Sequence, residues 1–223
     1  INWFPTKDPS IIQQKKDILF KYGQSNLTNY KMNDVSSALM FSVPLLKTRI
    51  TRRKRKQILN AIDKSNTDYK LDSSYFTDFD VNTWAERQNG NASLKFNNTP
   101  YSHEVWDLLF NDVSALFDQM GMKLKKSTAP VMWSQKYYAG NLHGVHNHGA
   151  CGYSCILYLK FNPKVHKATR FYAPFNHFLT GDLLSFDPQV EECDLIMFPS
   201  TIAHESQTQD SSEERMILSF NIK

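Results

Sequence analysis

The sequence is poor in several things that would each have fixed a class. It has only three cysteines, which cannot pair off fully, so a disulfide-stapled secreted scaffold is excluded and a reducing, cytoplasmic compartment is expected. No apolar run reaches the ~18 residues of a membrane span, and no signal-peptide pattern opens the chain as given, so no membrane partner is expected. There is no internal repeat and no low-complexity tract, which removes solenoids and linker-like chains. Charge of one sign is also scarce: 26 basic against 22 acidic residues leave +4, too mild to imply a nucleic-acid partner. What remains is 223 residues with 41% hydrophobic and 13% aromatic content, the composition of one globular domain.

Along the chain, residues 1–40 read as an arm or helix packed on a core, with Ile11, Ile12, Ile18, Leu19 and Tyr22 at helical spacing before Gly23. Residues 41–223 read as a single domain, with the chemistry in about 129–223. Phe41 to Ile50 is strand-like. Thr51 is placed to cap a helix running to about Ser65, with Ile58, Leu59 and Ile62 as its buried stripe. The first turn of that helix holds Arg52, Arg53, Lys54, Arg55 and Lys56, which oppose the macrodipole; a solvated basic face is the expectation, a phosphate or acidic contact the alternative. Residues 66–100 read as loops with short strands. Ser102 to about Gln119 carries the clearest helical period, with Ser102 as N-cap and Gly121 as C-cap. Two Asn-x-Ser/Thr triplets, at Asn26 and Asn91, are taken as chance matches.

From Ala129 onward, strand-like runs recur with short turns: Val131–Tyr138, Cys151–Phe161, Ala168–Tyr172, Asp182–Phe186, Asp194–Phe198 and Arg215–Ile222. Helices followed by evenly spaced short strands make this an α+β chain with a sandwich or barrel core.

Among seven histidines, three crowd into one segment, His143, His146 and His148. On a strand, His146 and His148 share a face, which makes half of a metal site. His204 follows an apolar strand and a Pro-Ser turn, where it could be a third ligand or a satisfied core histidine. Arg215 is the one charge on a strand face shared with Ile217 and Ser219. A buried guanidinium there needs an anion or a strong bonding network, and a small-molecule carboxylate would supply the anion in bidentate fashion.

These residues resemble the 2-oxoglutarate- and iron(II)-dependent oxygenases, in their prolyl-4-hydroxylase-like branch. The resemblance rests on Tyr138-Ala139-Gly140, His146-Asn147-His148, Phe198-Pro199-Ser200 with His204, and Arg215 eleven positions later. The strand Gly152 to Leu159 and the closing strand Arg215 to Asn221 add to it. It covers roughly residues 93–223. It implies a double-stranded β-helix core (jelly-roll or cupin-like) with supporting N-terminal helices. It also implies iron(II), 2-oxoglutarate and O2, release of succinate and CO2, and hydroxylation of a substrate that is peptidyl, prolyl included, by default; small molecules remain open. By the same resemblance, His146, His148 and His204 are catalytic metal ligands. Arg215 would pair with the distal carboxylate of the oxo acid, with Tyr138, Tyr158 and Ser219 assisting.

Two positions depart from the pattern. His148 stands where the family has a carboxylate, and Cys193 precedes Asp194 where the family often has glycine. Three rivals follow. A cupin-type metal protein shares the Gly140 to His148 spacing but lacks the expected Glu. A zinc site of His146, His148, Cys151 and Cys155 has no standard knuckle spacing. A non-catalytic β-helix binding module would explain the missing carboxylate.

Overall fold

The computed structural model describes residues 42–65, 68–72, 74–79, 98–126 and 129–222. The expected arm at 1–40 and both Asn-x-Ser/Thr triplets lie outside them. The chain divides into Ile1–Val43 and Pro44–Lys223, and every element below belongs to the second unit. In order these are β1 (Leu46–Arg49), α1 (Arg52–Lys64), β2 (Lys70–Asp72), β3 (Tyr75–Thr77), α2 (Ser102–Gln119), β4 (Met132–Tyr137), β5 (His143–His146), β6 (Tyr153–Lys160), β7 (Thr169–Asn176), β8 (Leu183–Phe186), β9 (Asp194–Pro199), β10 (His204–Ser206) and β11 (Arg215–Ile222).

The strands form two antiparallel sheets. One has seven strands in the order β1-β9-β6-β11-β4-β3-β2, the other four in the order β5-β10-β7-β8. The central strands of the larger sheet are apolar at nearly every position because both of their faces are covered. On β11, Met216, Leu218, Phe220 and Ile222 join a core with Ile58 and Ile62 of α1 and Val105, Leu109 and Val113 of α2. Ile217 of the same strand joins a second core with Tyr137, Tyr158, Phe198 and, from the smaller sheet, Phe171. The period of two thus sorts β11 into a helix-facing row and a row facing the smaller sheet. Arg215 and Ser219 have the parity of the second row.

The helix ends show which local expectations hold. Thr51 caps α1 by accepting from the Lys54 N–H at 3.2 Å. Two residues of its basic turn are not solvated charges. Lys54 bonds Asp112 of α2 at 2.5 Å, and Arg55 bonds the Leu159 carbonyl at 2.5 Å and Glu192 at 2.6 Å. The run is partly an internal clamp, so the acidic partners lie within the chain. The cap of α2 differs from expectation: Tyr101 holds the N-cap position without a side-chain capping bond, and Ser102 is the first helical residue, its Oγ donating to Asn98 Oδ1 at 2.7 Å. At the other end Gly121 takes φ +71. Its N–H bonds the Asp118 carbonyl and the Met122 N–H bonds the Phe117 carbonyl, a Schellman closure.

Cys193 is the one non-glycine with positive φ among the described residues, at +76. It occupies the position where the resembled family often has glycine, and it takes the left-handed backbone conformation that glycine favours. Its N–H bonds the Tyr158 carbonyl at 2.9 Å, and the Asp194 carboxylate beside it takes Arg49 Nε at 2.7 Å.

Candidate metal and oxo-acid site

The smaller sheet brings the histidines together. β5 and β10 are antiparallel with His146 directly opposite His204. Strand β5 ends at His146, so parity does not place His148. The loop does: its N–H bonds the Ser200 carbonyl at 2.8 Å, and Ser200 is itself tied to Gly152. One ring nitrogen from each of His146, His148 and His204 lies within 4.8 Å of the other two.

The bonding partners fix which nitrogens are free. His146 Nδ1 sits 2.7 Å from the Gly144 carbonyl and His204 Nδ1 sits 2.9 Å from the Ile202 carbonyl. A carbonyl oxygen only accepts, so both Nδ1 atoms carry the proton and both Nε2 lone pairs are bare. His148 Nδ1 lies 2.7 Å from Asn221 Oδ1. Burial holds His148 well below the usual imidazole range, at about 4, and His204 at about 3, with neighbouring imidazoles adding to the effect. His146 is shifted the same way by desolvation. Neutral imidazoles are what a divalent ion requires.

His143 stacks on His146 with centroids 3.9 Å apart, yet stays outside the cluster. Its Nδ1 accepts from Gln135 Nε2 at 3.3 Å, while Gln135 Oε1 accepts from Ser219 Oγ at 3.1 Å. His143 therefore holds the opposite tautomer from its neighbours. Trp133 lies against His148 at 5.7 Å. His166 bonds the Asn162 N–H and the Glu213 carbonyl and is structural. Neither cysteine of the zinc alternative joins the cluster: Cys155 is buried in the helix-facing core, with its thiol pushed up by desolvation.

Arg215 is fully buried. Its Nη1 donates to Ser206 Oγ at 2.8 Å and its Nη2 to Thr169 Oγ1 at 3.4 Å. The guanidinium lies 4.7 Å from the Tyr137 ring centre and 5.8 Å from that of Tyr158. Tyr158 also donates to Thr169 Oγ1 at 3.2 Å. Among the described residues no carboxylate forms a salt bridge with Arg215, and its Nε is buried with no partner. A buried positive charge with no carboxylate partner is costly, and an anion held here would offset that cost.

Of the residues expected beside Arg215, Tyr158 is there. Ser219 sits instead with Gln135, on the His143 side. Tyr138 is not brought to the cluster: its hydroxyl donates to Glu214 at 2.5 Å. Its neighbour Tyr137 occupies the place, buried and pushed up to about 12 by desolvation, with Arg215 and Ser206 opposing the shift. Tyr137 ends β4 and faces the second core, whereas Tyr138 follows the strand and faces Glu214. Thr169 and Ser206 were not singled out from sequence, because single hydroxyls on short strands carry no pattern.

Residues 131–221 match the family model described as "Putative 2OG-Fe(II) oxygenase". Over this segment the chain is similar to the 2OG-Fe(II) oxygenases. The class follows: a 2-oxoglutarate/iron(II)-dependent oxygenase, whose family uses iron(II), 2-oxoglutarate and O2. No curated protein matches the chain. Among solved structures, a 2OG-Fe(II) oxygenase-family oxidoreductase from Burkholderia pseudomallei is 12% identical, with TM-score 0.54 over 79% of this chain and 82% of that one. A Pseudomonas putida prolyl-4-hydroxylase is 12% identical, with TM-score 0.51 over 80% and 92%. HygX from Streptomyces hygroscopicus, solved with nickel, 2-oxoglutarate and hygromycin B, is 10% identical, with TM-score 0.53 over 80% and 82%. At these identities the likeness establishes the double-stranded β-helix fold.

The residues present fit the cofactors of this class. Three neutral imidazoles suit iron(II), and the orphaned Arg215 Nε suits a carboxylate.

Proposed function

We propose that this oxygenase hydroxylates a substrate C–H bond, with His146, His148 and His204 holding iron(II) and Arg215 holding the distal carboxylate of 2-oxoglutarate. The observation that carries the reading is the buried guanidinium with an unsatisfied Nε and no carboxylate partner. When bound, iron(II) supplies the activation of O2 that couples 2-oxoglutarate decarboxylation to substrate oxidation. The chain's own share is positional. His146 and His204 present Nε2 because their Nδ1 protons are held by backbone carbonyls. Ser206, Thr169 and the Tyr137 ring fix the guanidinium, and Phe171, Phe198 and Ile217 share a buried cluster with the Tyr137 and Tyr158 rings beside it.

The substrate we favour is peptidyl, prolyl included, in line with the prolyl-4-hydroxylase-like pattern. The same fold serves the nogalamycin epimerase SnoN and the carbocyclase SnoK. Turnover is therefore best read as succinate release, which is independent of the substrate's identity. The three free thiols, Cys151, Cys155 and Cys193, support a reducing compartment such as the cytoplasm.

The test is anaerobic loading with iron(II), followed by 2-oxoglutarate and O2. Succinate formation dependent on both is expected. Arg215→Ala should raise the 2-oxoglutarate requirement 10-fold or more while leaving metal content nearly unchanged, since a charged hydrogen-bonded partner is worth roughly 1.5–3 kcal/mol. Tightly held zinc with no succinate after iron(II) loading would sink the reading in favour of a binding module.

A further inference from the structure

At two of the three histidines the ligand tautomer is imposed by the backbone. Gly144 and Ile202 offer carbonyl oxygens, which no side-chain substitution at those residues removes. His148 is different. It stands where the family has a carboxylate, and a carboxylate needs no tautomer set. An imidazole does, because a proton on Nε2 abolishes ligation. Among the described residues, the nearer of the two groups at its Nδ1, and the one that only accepts there, is a side chain from the last strand: Asn221, whose Oδ1 is 2.7 Å away, against 3.2 Å for the Ser154 hydroxyl.

The surroundings decide the orientation of that amide. Ser154 Oγ lies 2.7 Å from Asn221 Oδ1, 2.9 Å from Ser200 Oγ and 3.2 Å from His148 Nδ1. With Oδ1 directed to the pair, it accepts from both His148 Nδ1–H and the Ser154 hydroxyl. Asn221 and Ser154 are direct partners across β11 and β6. Ser200, whose carbonyl anchors the His148 backbone, completes the group. The ring is thus oriented from β6, the turn after β9, and β11.

We propose that Asn221 is the positioning residue that makes His148 a metal ligand, by holding its proton on Nδ1, and that it is the companion of the carboxylate-to-histidine change at 148. This rests on the three-histidine reading above. It adds that the exchange of ligand at 148 works only with an acceptor at 221. Asn221 acts through His148, so its loss should weaken metal binding without dismantling the fold. Outer-sphere partners of metal histidines are typically worth 10–100-fold in affinity.

The test uses the full chain, Co(II) competed against a chromophoric chelator, and 15N-detected tautomer signals of the apo histidines. In the wild type, His148 should show a protonated Nδ1 and a bare Nε2. Asn221→Leu should lose that signature at His148 alone and bind Co(II) 10–100-fold more weakly, with an unchanged near-ultraviolet circular dichroism spectrum. Asn221→Asp keeps the acceptor and should retain the tautomer and bind Co(II) at least as tightly as the wild type. A wild-type His148 protonated on Nε2, wild-type affinity in Asn221→Leu, or an Asn221→Asp as weak as Asn221→Leu would each overturn the proposal. If Asn221→Leu fails to fold, Asn221→Asp and the wild-type tautomer still decide. His148→Ala separates the underlying reading. Unchanged Co(II) affinity there, with loss in His146→Ala, would show that His148 is no ligand, whatever Asn221 does.

Discussion

At the residue scale, two adjacent tyrosines meet different surroundings. Tyr137 lies under the Arg215 guanidinium in the interior, and Tyr138 bonds Glu214 at the rim. Tyr137→Phe should therefore raise the KM for 2-oxoglutarate about 3–10-fold, a neutral hydrogen bond's worth of 0.5–1.5 kcal/mol. Tyr138→Phe should leave it within twofold; equal effects would contradict the placement. A second prediction concerns the buried imidazoles. His143, His148 and His204 fall from 6.5 to about 3, about 4 and about 3, chiefly by desolvation. Their folded pKa values lie below the unfolded one, so between pH 6.5 and 4 the unfolded chain takes up protons that the folded chain refuses. Above pH 6.5 they are neutral in both states and cost nothing by this route. Apo-protein stability in urea should thus fall steadily from pH 6.5 to 4, and His143→Gln should flatten part of that slope. An unchanged slope would mean that His143 titrates freely.

At the scale of elements, the helix ends and the central strands divide what was legible from what was not. Gly121 was readable as the end of α2 because a left-handed turn selects glycine. An added Cβ there meets nothing within 4 Å, so the cost of Gly121→Ala is conformational alone. It should be about 1–2 kcal/mol in chemical denaturation. The cap at the other end was misread because Ser102 is a good cap by type, while its hydroxyl is drawn to Asn98 by tertiary contacts. The strands with long apolar runs were located from those runs, β11 to its ends, since burial on both faces leaves few polar interruptions. β10, three residues long, has no such run; His204 could be singled out, but not its partner across the sheet. His148 shows the same limit: parity paired it with His146, but the strand stops at His146. What holds it is a loop-to-turn hydrogen bond between residues 52 positions apart, which no local pattern announces.

At the scale of the whole molecule, the site is assembled from both sheets. His146 and His204 come from β5 and β10 of the smaller sheet, and Arg215, Tyr137 and Tyr158 come from β11, β4 and β6 of the larger one. Ser206 and Thr169, on the smaller sheet, bond the guanidinium of the larger. A ligand held by the histidines and Arg215 together would bridge the two sheets, so its binding energy opposes their separation. Ligand at about 100 times its Kd adds roughly 2.7 kcal/mol to the folded state, which moves the Tm of a chain this size by about 5–11 °C. The prediction is conditional. In the anaerobic protein, 2-oxoglutarate should raise Tm when Fe(II) or Co(II) is present and far less when the metal is chelated, because the oxo-acid end then has no partner. Arg215→Ala should abolish the 2-oxoglutarate increment and keep the metal increment; His204→Ala should lose both. If 2-oxoglutarate stabilised the chelated wild type as strongly as the metal-loaded one, Arg215 would be binding the anion by itself. The two halves of the site would then be separate, and the bridging arrangement would be wrong.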